Sequence, residues 1–290
     1  MNKHIIKYIF ASLAVLVIFS SCKKEYEKIE AIDDAKIQAY IKQNGISAVK
    51  DETGFYYQIL DQGTGEPMLN KDSVFYTMTT KSLTGQVYYS TAAFSKESGY
   101  LGYNSEPYRI ALSAVNRGGK VRVILPSYLA FGKNGKDLVP PNEVIVTELS
   151  VSLQKTQWEV DDVFIRDFLT AKGITAIKNP SRIYSVVSQI GSGTEINAFS
   201  TITVKYTGRF LSGTIFDQSV GDATLVTDIN NVVLGWKRAL VGMKKGAKIR
   251  IFIPSDLGYG LEPKRDAAGV VTIPANSILD FDIEVVDVTN

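Results

Sequence analysis

Apolar residues recur along this chain with two different periods. After the pair Asp33-Asp34 they fall at spacings of three and four, at Ile37, Tyr40 and Ile41. After Asp161-Asp162 the same happens at Phe164, Ile165, Phe168 and Leu169. Each stripe predicts an amphipathic helix, with an aspartate as its cap and Gly45 or Gly173 as its stop. Elsewhere apolar and polar residues alternate, which is the period of a half-buried strand. Residues Ile202 to Phe210 and Lys248 to Ile253 do so. In the last run Leu279, Phe281, Ile283 and Val285 face one way, and Asp280, Asp282 and Glu284 the other. Between these strands one short helix is predicted, capped by Asn231, with Val233, Trp236 and Leu240 on one face. Many antiparallel strands and one internal helix give an α+β class, an antiparallel sheet wrapped around a short helix.

The pattern is written twice. From Asp33 to Gly132, many residues have a counterpart 128 positions later: Gly45-Ile46 with Gly173-Ile174, Gly63 and Gly65 with Gly191 and Gly193, Lys120-Val121-Arg122-Val123 with Lys248-Ile249-Arg250-Ile251, and Gly132 with Gly260. A constant offset over about a hundred residues means two tandem domains of one fold, each opened by its own helix. The expected organisation is a processing segment over 1–21, a tether over 22–31, one domain over 32–156 and a second over 157–290. An apolar fraction of 45% with 21% charged lets each copy build a core.

The first 21 residues read as a processing signal. Lys3 and Lys7 form a basic start, Tyr8 to Phe19 an apolar run, and Phe19-Ser20-Ser21 leads into Cys22, the only cysteine. The run is short for a membrane-crossing helix. This segment resembles a bacterial lipoprotein signal, although Phe19 stands where leucine is more usual. The resemblance implies lipidation at Cys22 and an anchored protein of the bacterial envelope, in the first instance the outer membrane, facing the periplasm or the exterior. Each buried CH₂ of a lipid chain contributes about 0.8 kcal/mol to such an anchor. The alternative is an ordinary secretory signal that leaves a spare thiol.

Removing that segment takes away Lys3 and Lys7 and leaves 30 basic against 30 acidic residues. Such a balance gives no electrostatic footing for nucleic acid. The single histidine, His4, goes with it, and the single cysteine would be acylated. The domains are therefore left without His or Cys as base, nucleophile or metal ligand. No acid spacing suits a calcium loop, and Gly191-Ser192-Gly193 lacks the later glycine of a dinucleotide site. Neither metal nor cofactor is expected.

The second copy carries an ordered set of motifs: Val204-Lys205-Tyr206-Thr207-Gly208, Ile215-Phe216-Asp217-Gln218-Ser219, Val232-Val233-Leu234-Gly235-Trp236, Ala239-Leu240-Val241-Gly242-Met243, Asp256-Leu257-Gly258-Tyr259-Gly260, Ile273-Pro274-Ala275-Asn276 and Leu279-Asp280-Phe281-Asp282. In this order, over residues 191–290, the set resembles the FKBP family of peptidyl-prolyl cis-trans isomerases. The resemblance implies a pocket for proline. In it Trp236 is the floor, Phe216 and Phe281 are walls, the Tyr259 hydroxyl bonds a substrate carbonyl, and Asp217 orients Tyr206. Leu225, Val232, Val233 and Ile273 complete the substrate contacts. Leu225 replaces a pocket aromatic, Thr272 replaces an apolar residue, and the segment Ser219 to Val232 is short. An Xaa-Pro bond rotates over a barrier of about 18–20 kcal/mol, in tens to hundreds of seconds uncatalysed. A pocket that favours the twisted, less conjugated amide lowers that barrier without any nucleophile.

In the first copy the offset puts Met78 at Tyr206, Tyr88 at Phe216, Tyr89 at Asp217, Tyr108 at Trp236 and Phe131 at Tyr259. Beyond Gly132 the second copy has six extra residues, so Thr147 falls at Phe281. The framework glycines persist, while the acid and the loop hydroxyl are lost. The expectation is isomerase activity in the second domain alone, acting on proline-containing segments of exported proteins. The rival reading is a non-catalytic peptide-binding or assembly lipoprotein that uses both domains as scaffolds. The sequence does not fix an oligomeric state.

Overall fold

The computed structural model describes residues 28–290; Cys22, the processing segment and the start of the tether lie outside the described residues. The chain divides into two units. One comprises the described residues up to Thr91 together with Lys96–Leu153, the other Ala92–Ser95 together with Gln154–Asn290. In the first, helix α1 occupies residues 28–44. It is followed by β1 (Val49–Lys50), β2 (Tyr56–Asp61), β3 (Ser73–Ser82), β4 (Val87–Ser90), β5 (Glu97–Tyr100), α2 (Glu106–Ser113), β6 (Lys120–Leu125) and β7 (Ile145–Val151). The sheet order is β1-β2-β6-β7-β3-β4, with β5 also paired to β3.

The second unit repeats this. Helix α3 (Gln157–Lys172) precedes β8 (Ile177–Lys178), β9 (Tyr184–Gln189), β10 (Thr201–Arg209), β11 (Ile215–Gln218), β12 (Leu225–Asp228), α4 (Leu234–Leu240) and β13 (Lys248–Ile253). A two-stranded hairpin, β14 (Lys264–Arg265) with β15 (Val271–Ile273), then leads to β16 (Leu279–Thr289). The main sheet runs β11-β10-β16-β13-β9-β8, with β12 on β10. Neighbours in both main sheets are antiparallel, as the alternating pattern requires. The hairpin accounts for the extra residues of the second copy.

Alternation gives each sheet two working faces. On the inner face Ile249, Ile251 and Ile253 of β13 meet Leu279, Phe281, Ile283 and Val285 of β16, together with Trp236 and Leu240 of α4. On the outer face Ile165, Phe168 and Leu169 of α3 pack with Phe252, Tyr184 and Ile278. In the first unit Ile37 of α1 meets Tyr56, Ile124 and Val146 in the same way. Asp280 departs from the polar, outward role its position suggested: it is buried. It accepts from Arg209 Nε at 2.9 Å and from Arg250 Nε and Nη2 at 2.9 and 2.7 Å, which neutralises a carboxylate tied across three strands.

The helix starts also differ from expectation. Helix α1 takes in residues 28–31, assigned above to the tether; no glycine or proline interrupts Lys28 to Asp33. Thr156, not Asp161, begins α3, and its N–H donates to Glu159 Oε2 at 2.9 Å. The aspartates instead lie within the helices and point inward. Asp161 Oδ2 accepts from Ser255 N–H at 2.7 Å and from the Ser255 hydroxyl at 2.6 Å; Asp33 Oδ2 accepts from Ser127 at 2.8 and 2.6 Å. Each helix is thereby bonded to the turn that follows β6 or β13. Gly173 ends α3 in the left-handed conformation at φ 63°, returning its N–H to the last turn. Asn231 does not cap α4; Val233 precedes the helix with no side-chain cap.

Candidate functional site

Six separate segments of the second unit converge on one cavity of about 260 Å³. Tyr206 comes from β10, Phe216 and Asp217 from β11, Leu225 and Thr227 from β12. Asn231, Val232 and Val233 enter α4, which supplies Trp236, while Tyr259 follows the turn after β13 and Phe281 lies on β16. The period of two places Tyr206 and Phe281 on the inner face, and their strands pair with Tyr206 opposite Ile283 and Gly208 opposite Phe281. Trp236 is drawn to the base because α4 buries the same side that carries Leu240.

The aromatic rings meet edge to face. Trp236 and Phe281 have centroids 5.1 Å apart at 88°, Phe216 and Phe281 5.5 Å at 90°, and Tyr206 and Trp236 5.4 Å at 79°. Such arrangements follow the ring quadrupoles. Gly208 makes this packing possible. A Cβ there would stand 2.5 Å from Phe281 Cε1 and 2.8 Å from Phe216 Cζ. The indole Nε1 of Trp236 is buried with no hydrogen-bond partner among the described residues.

The polar edge is small. Tyr206 donates its hydroxyl to Asp217 Oδ2 at 2.7 Å. Burial, and then this carboxylate, push the Tyr206 phenol well above its ordinary range. Burial also raises Tyr259, with Asp217 adding to the effect. Both phenols therefore keep their protons at neutral pH and can donate. Asn276 adopts the left-handed conformation at φ 57°, and its N–H bonds to Gly260 O at 2.8 Å, closing the loop that carries the hairpin. Among the described residues no group of three or more His, Cys, Asp or Glu could hold a metal.

Nine of the ten predicted pocket residues line this cavity. Ile273 does not: it is buried in the adjoining core, where it anchors β15. Thr227 and Asn231 line it without having been expected. Asn231 was singled out as a cap, so its polarity was noticed and its direction was not. Gly208 was read only as part of a motif; its signal was a glycine inside an alternating strand, which marks a close approach.

The first unit shows what the same scaffold does with other residues. At the position of Gly208 stands Thr80, and at Phe281 stands Thr147. Their hydroxyls meet at 3.1 Å, and Tyr108, at the Trp236 position, bonds Thr147 at 3.0 Å. A buried hydroxyl chain thus replaces the ring cluster. The acid is moved rather than lost: Tyr89, at the Asp217 position, donates to Glu97, which stands at Leu225, and Glu97 also accepts from Thr91 at 2.9 Å.

Known proteins point the same way. Residues 193–286 match the model of the family described as FKBP-type peptidyl-prolyl cis-trans isomerase. The FKBP-type peptidyl-prolyl cis-trans isomerase FkpA of Buchnera aphidicola subsp. Schizaphis graminum is 38% identical over 130 residues, which cover 44% of this chain and 48% of that protein. The FK506-binding protein of Neisseria meningitidis serogroup A is 39% identical over 103 residues, 34% of this chain and 90% of that protein. Among solved structures, a peptidyl-prolyl cis-trans isomerase from Pseudomonas syringae pv. tomato is 29% identical, covering 46% of this chain and 94% of that one at a TM-score of 0.39. The chain spans about half the length of the FkpA relatives it matches. With 103 of its residues matched over 90% of the Neisseria protein, this chain belongs to the FKBP-type peptidyl-prolyl cis-trans isomerase family.

Proposed function

We propose that the protein is a peptidyl-prolyl cis-trans isomerase whose activity resides in the second domain, over residues 157–290. The observation that carries this reading is the aromatic cavity floored by Trp236, with the Tyr206–Asp217 pair and the protonated Tyr259 at its edge. A proline ring seated on Trp236 between Phe216 and Phe281 exchanges water for ring faces. There the planar amide loses the hydration that stabilises it, and the twisted amide loses less. The difference lowers the barrier. Tyr259 holds the flanking carbonyl by donating its hydroxyl, and Tyr206 is fixed by Asp217. None of these steps requires a nucleophile or a base.

The first domain, over residues 32–156, is assigned a non-catalytic role, because Thr80, Thr147 and Tyr108 fill with hydroxyls the space the rings require. Lipidation at Cys22 places the protein on the bacterial envelope, where proline-containing segments of exported proteins are the substrates. The support for this anchor is the sequence Phe19-Ser20-Ser21-Cys22 after an apolar run. Two experiments test the proposal. A protease-coupled proline-peptide assay on residues 23–290 should show turnover that the double variant Trp236→Ala, Asp217→Ala lacks; equal rates overturn the enzyme reading and favour a peptide cradle. Labelled palmitate should enter the full-length protein and not Cys22→Ala.

A further inference from the structure

The only insertion of the second copy relative to the first, six residues between Lys264 and Ile273, extends the hairpin β14–β15. One end of that hairpin is fixed. Ile273 is buried in the core opposite Lys264, and Thr272 donates its hydroxyl to Lys264 O at 3.3 Å. The other end closes on itself: Asp266 Oδ1 accepts from the N–H groups of Ala268 and Val270, and Arg265 Nη1 donates to Gly269 O at 2.9 Å. This leaves Lys264, whose ammonium stands 4.9 Å from the centroid of the Tyr259 ring. The nearby acids are engaged elsewhere, Asp217 with Tyr206 and Asp266 with the turn, while Glu262 is exposed and makes no ion pair with Lys264. Among the described residues no carboxylate pairs with the Lys264 ammonium. The first copy keeps a lysine at this position, Lys136, bridged to Val139 as Lys264 is to Ile273, but it has Phe131 in place of Tyr259 and so no hydroxyl for a ligand carbonyl.

We propose that Lys264 makes this site selective for proline segments that carry an acidic side chain beside the proline. The inference rests on the isomerase reading for the identity of the site, and on the hairpin for the charge. A ligand carbonyl bonded to Tyr259 brings the residue next to proline alongside the ring that Lys264 covers. A carboxylate there finds an unpaired ammonium already held in place, and a lysine there meets a like charge. An exposed pair of this kind is worth about two- to fivefold in affinity or rate, and salt reduces it.

The test uses residues 23–290 and the tetrapeptides Ala-Glu-Pro-Ala, Ala-Gln-Pro-Ala and Ala-Lys-Pro-Ala, with Ala-Pro-Glu-Ala for the other flank. NMR exchange gives kcat/KM, and shift titration gives Kd. Wild type should favour a Glu peptide over Gln by about two- to fivefold at low salt, with Lys weakest. Lys264→Met should bring the Glu to Gln ratio near one while leaving the Gln peptide unchanged, and Lys264→Glu should invert it. A ratio that Lys264→Met leaves intact overturns the proposal. If no peptide is turned over, the isomerase reading falls by itself, and the Kd ratios in wild type and Lys264→Met still decide the charge selection.

Discussion

Exchanging Gly208 and Phe281 for the residues of the first copy separates folding from function. In Gly208→Thr the new Cβ would lie 2.5 Å from Phe281 Cε1, against about 3.5–4.0 Å for carbons in contact, so the rings must yield by about 1 Å. Overpacking of that kind costs about 1–3 kcal/mol. Phe281→Thr removes a ring packed against Trp236, Phe216 and Tyr206, at a cost of about 3–5 kcal/mol by analogy with other large-to-small changes. Together the two changes recreate Thr80 and Thr147, whose hydroxyls meet at 3.1 Å. The double variant should therefore be more stable than the sum of the single losses by about 1–3 kcal/mol. Both tryptophans, Trp158 and Trp236, belong to the second unit, so tryptophan fluorescence in urea reads its unfolding within the whole chain. Isomerase activity should behave differently. Gly208→Thr should lose about 100-fold, because wall rings displaced by about 1 Å no longer frame the proline. The double variant should recover stability and no activity. Additive stabilities, agreeing within about 0.5 kcal/mol, would refute the claim that the two copies differ by a coupled exchange.

Asp280→Ala leaves Arg209 and Arg250 facing each other without their shared carboxylate and should destabilise the second domain by about 3–5 kcal/mol in the same urea assay. Burial raises the Asp161 carboxyl above its ordinary value near 3.8, so the folded state holds that proton more tightly than the unfolded one. As pH rises from 3.8 through the raised folded value, wild type should lose stability relative to Asp161→Asn; a gap constant between acid and neutral pH refutes this. Tyr206 and Tyr259 are both raised above the usual 10, so kcat/KM should hold between pH 7 and about pH 9 against loss of either phenolic proton; a decline centred below 10 that Tyr259→Phe abolishes would contradict it.

The parts of this fold that were legible in the sequence are those governed by local period. Alternation in Leu279 to Val285 and in Lys248 to Ile253 is a property of single strands, and the constant offset doubled every such reading. The pocket was legible through a resemblance, because its motifs lie close to turns and strand ends that keep their spacing. What escaped depends on which side of an element meets another one. Asp33 and Asp161 carry the right chemistry for helix caps, yet each lies a full turn inside its helix. There it meets the amide of a serine 94 residues away, a contact that no local window contains. Ile273 escaped for the same reason: its neighbours resemble a pocket rim, but its side chain turns into the core, as does that of its counterpart Val139 in the first copy. Lys264, opposite Ile273 at the base of the hairpin, stands over the Tyr259 ring, and the first copy keeps the same pairing in Lys136 and Val139. What distinguishes the second copy at this place is therefore the hydroxyl of Tyr259 beneath that ammonium, where the first copy has Phe131.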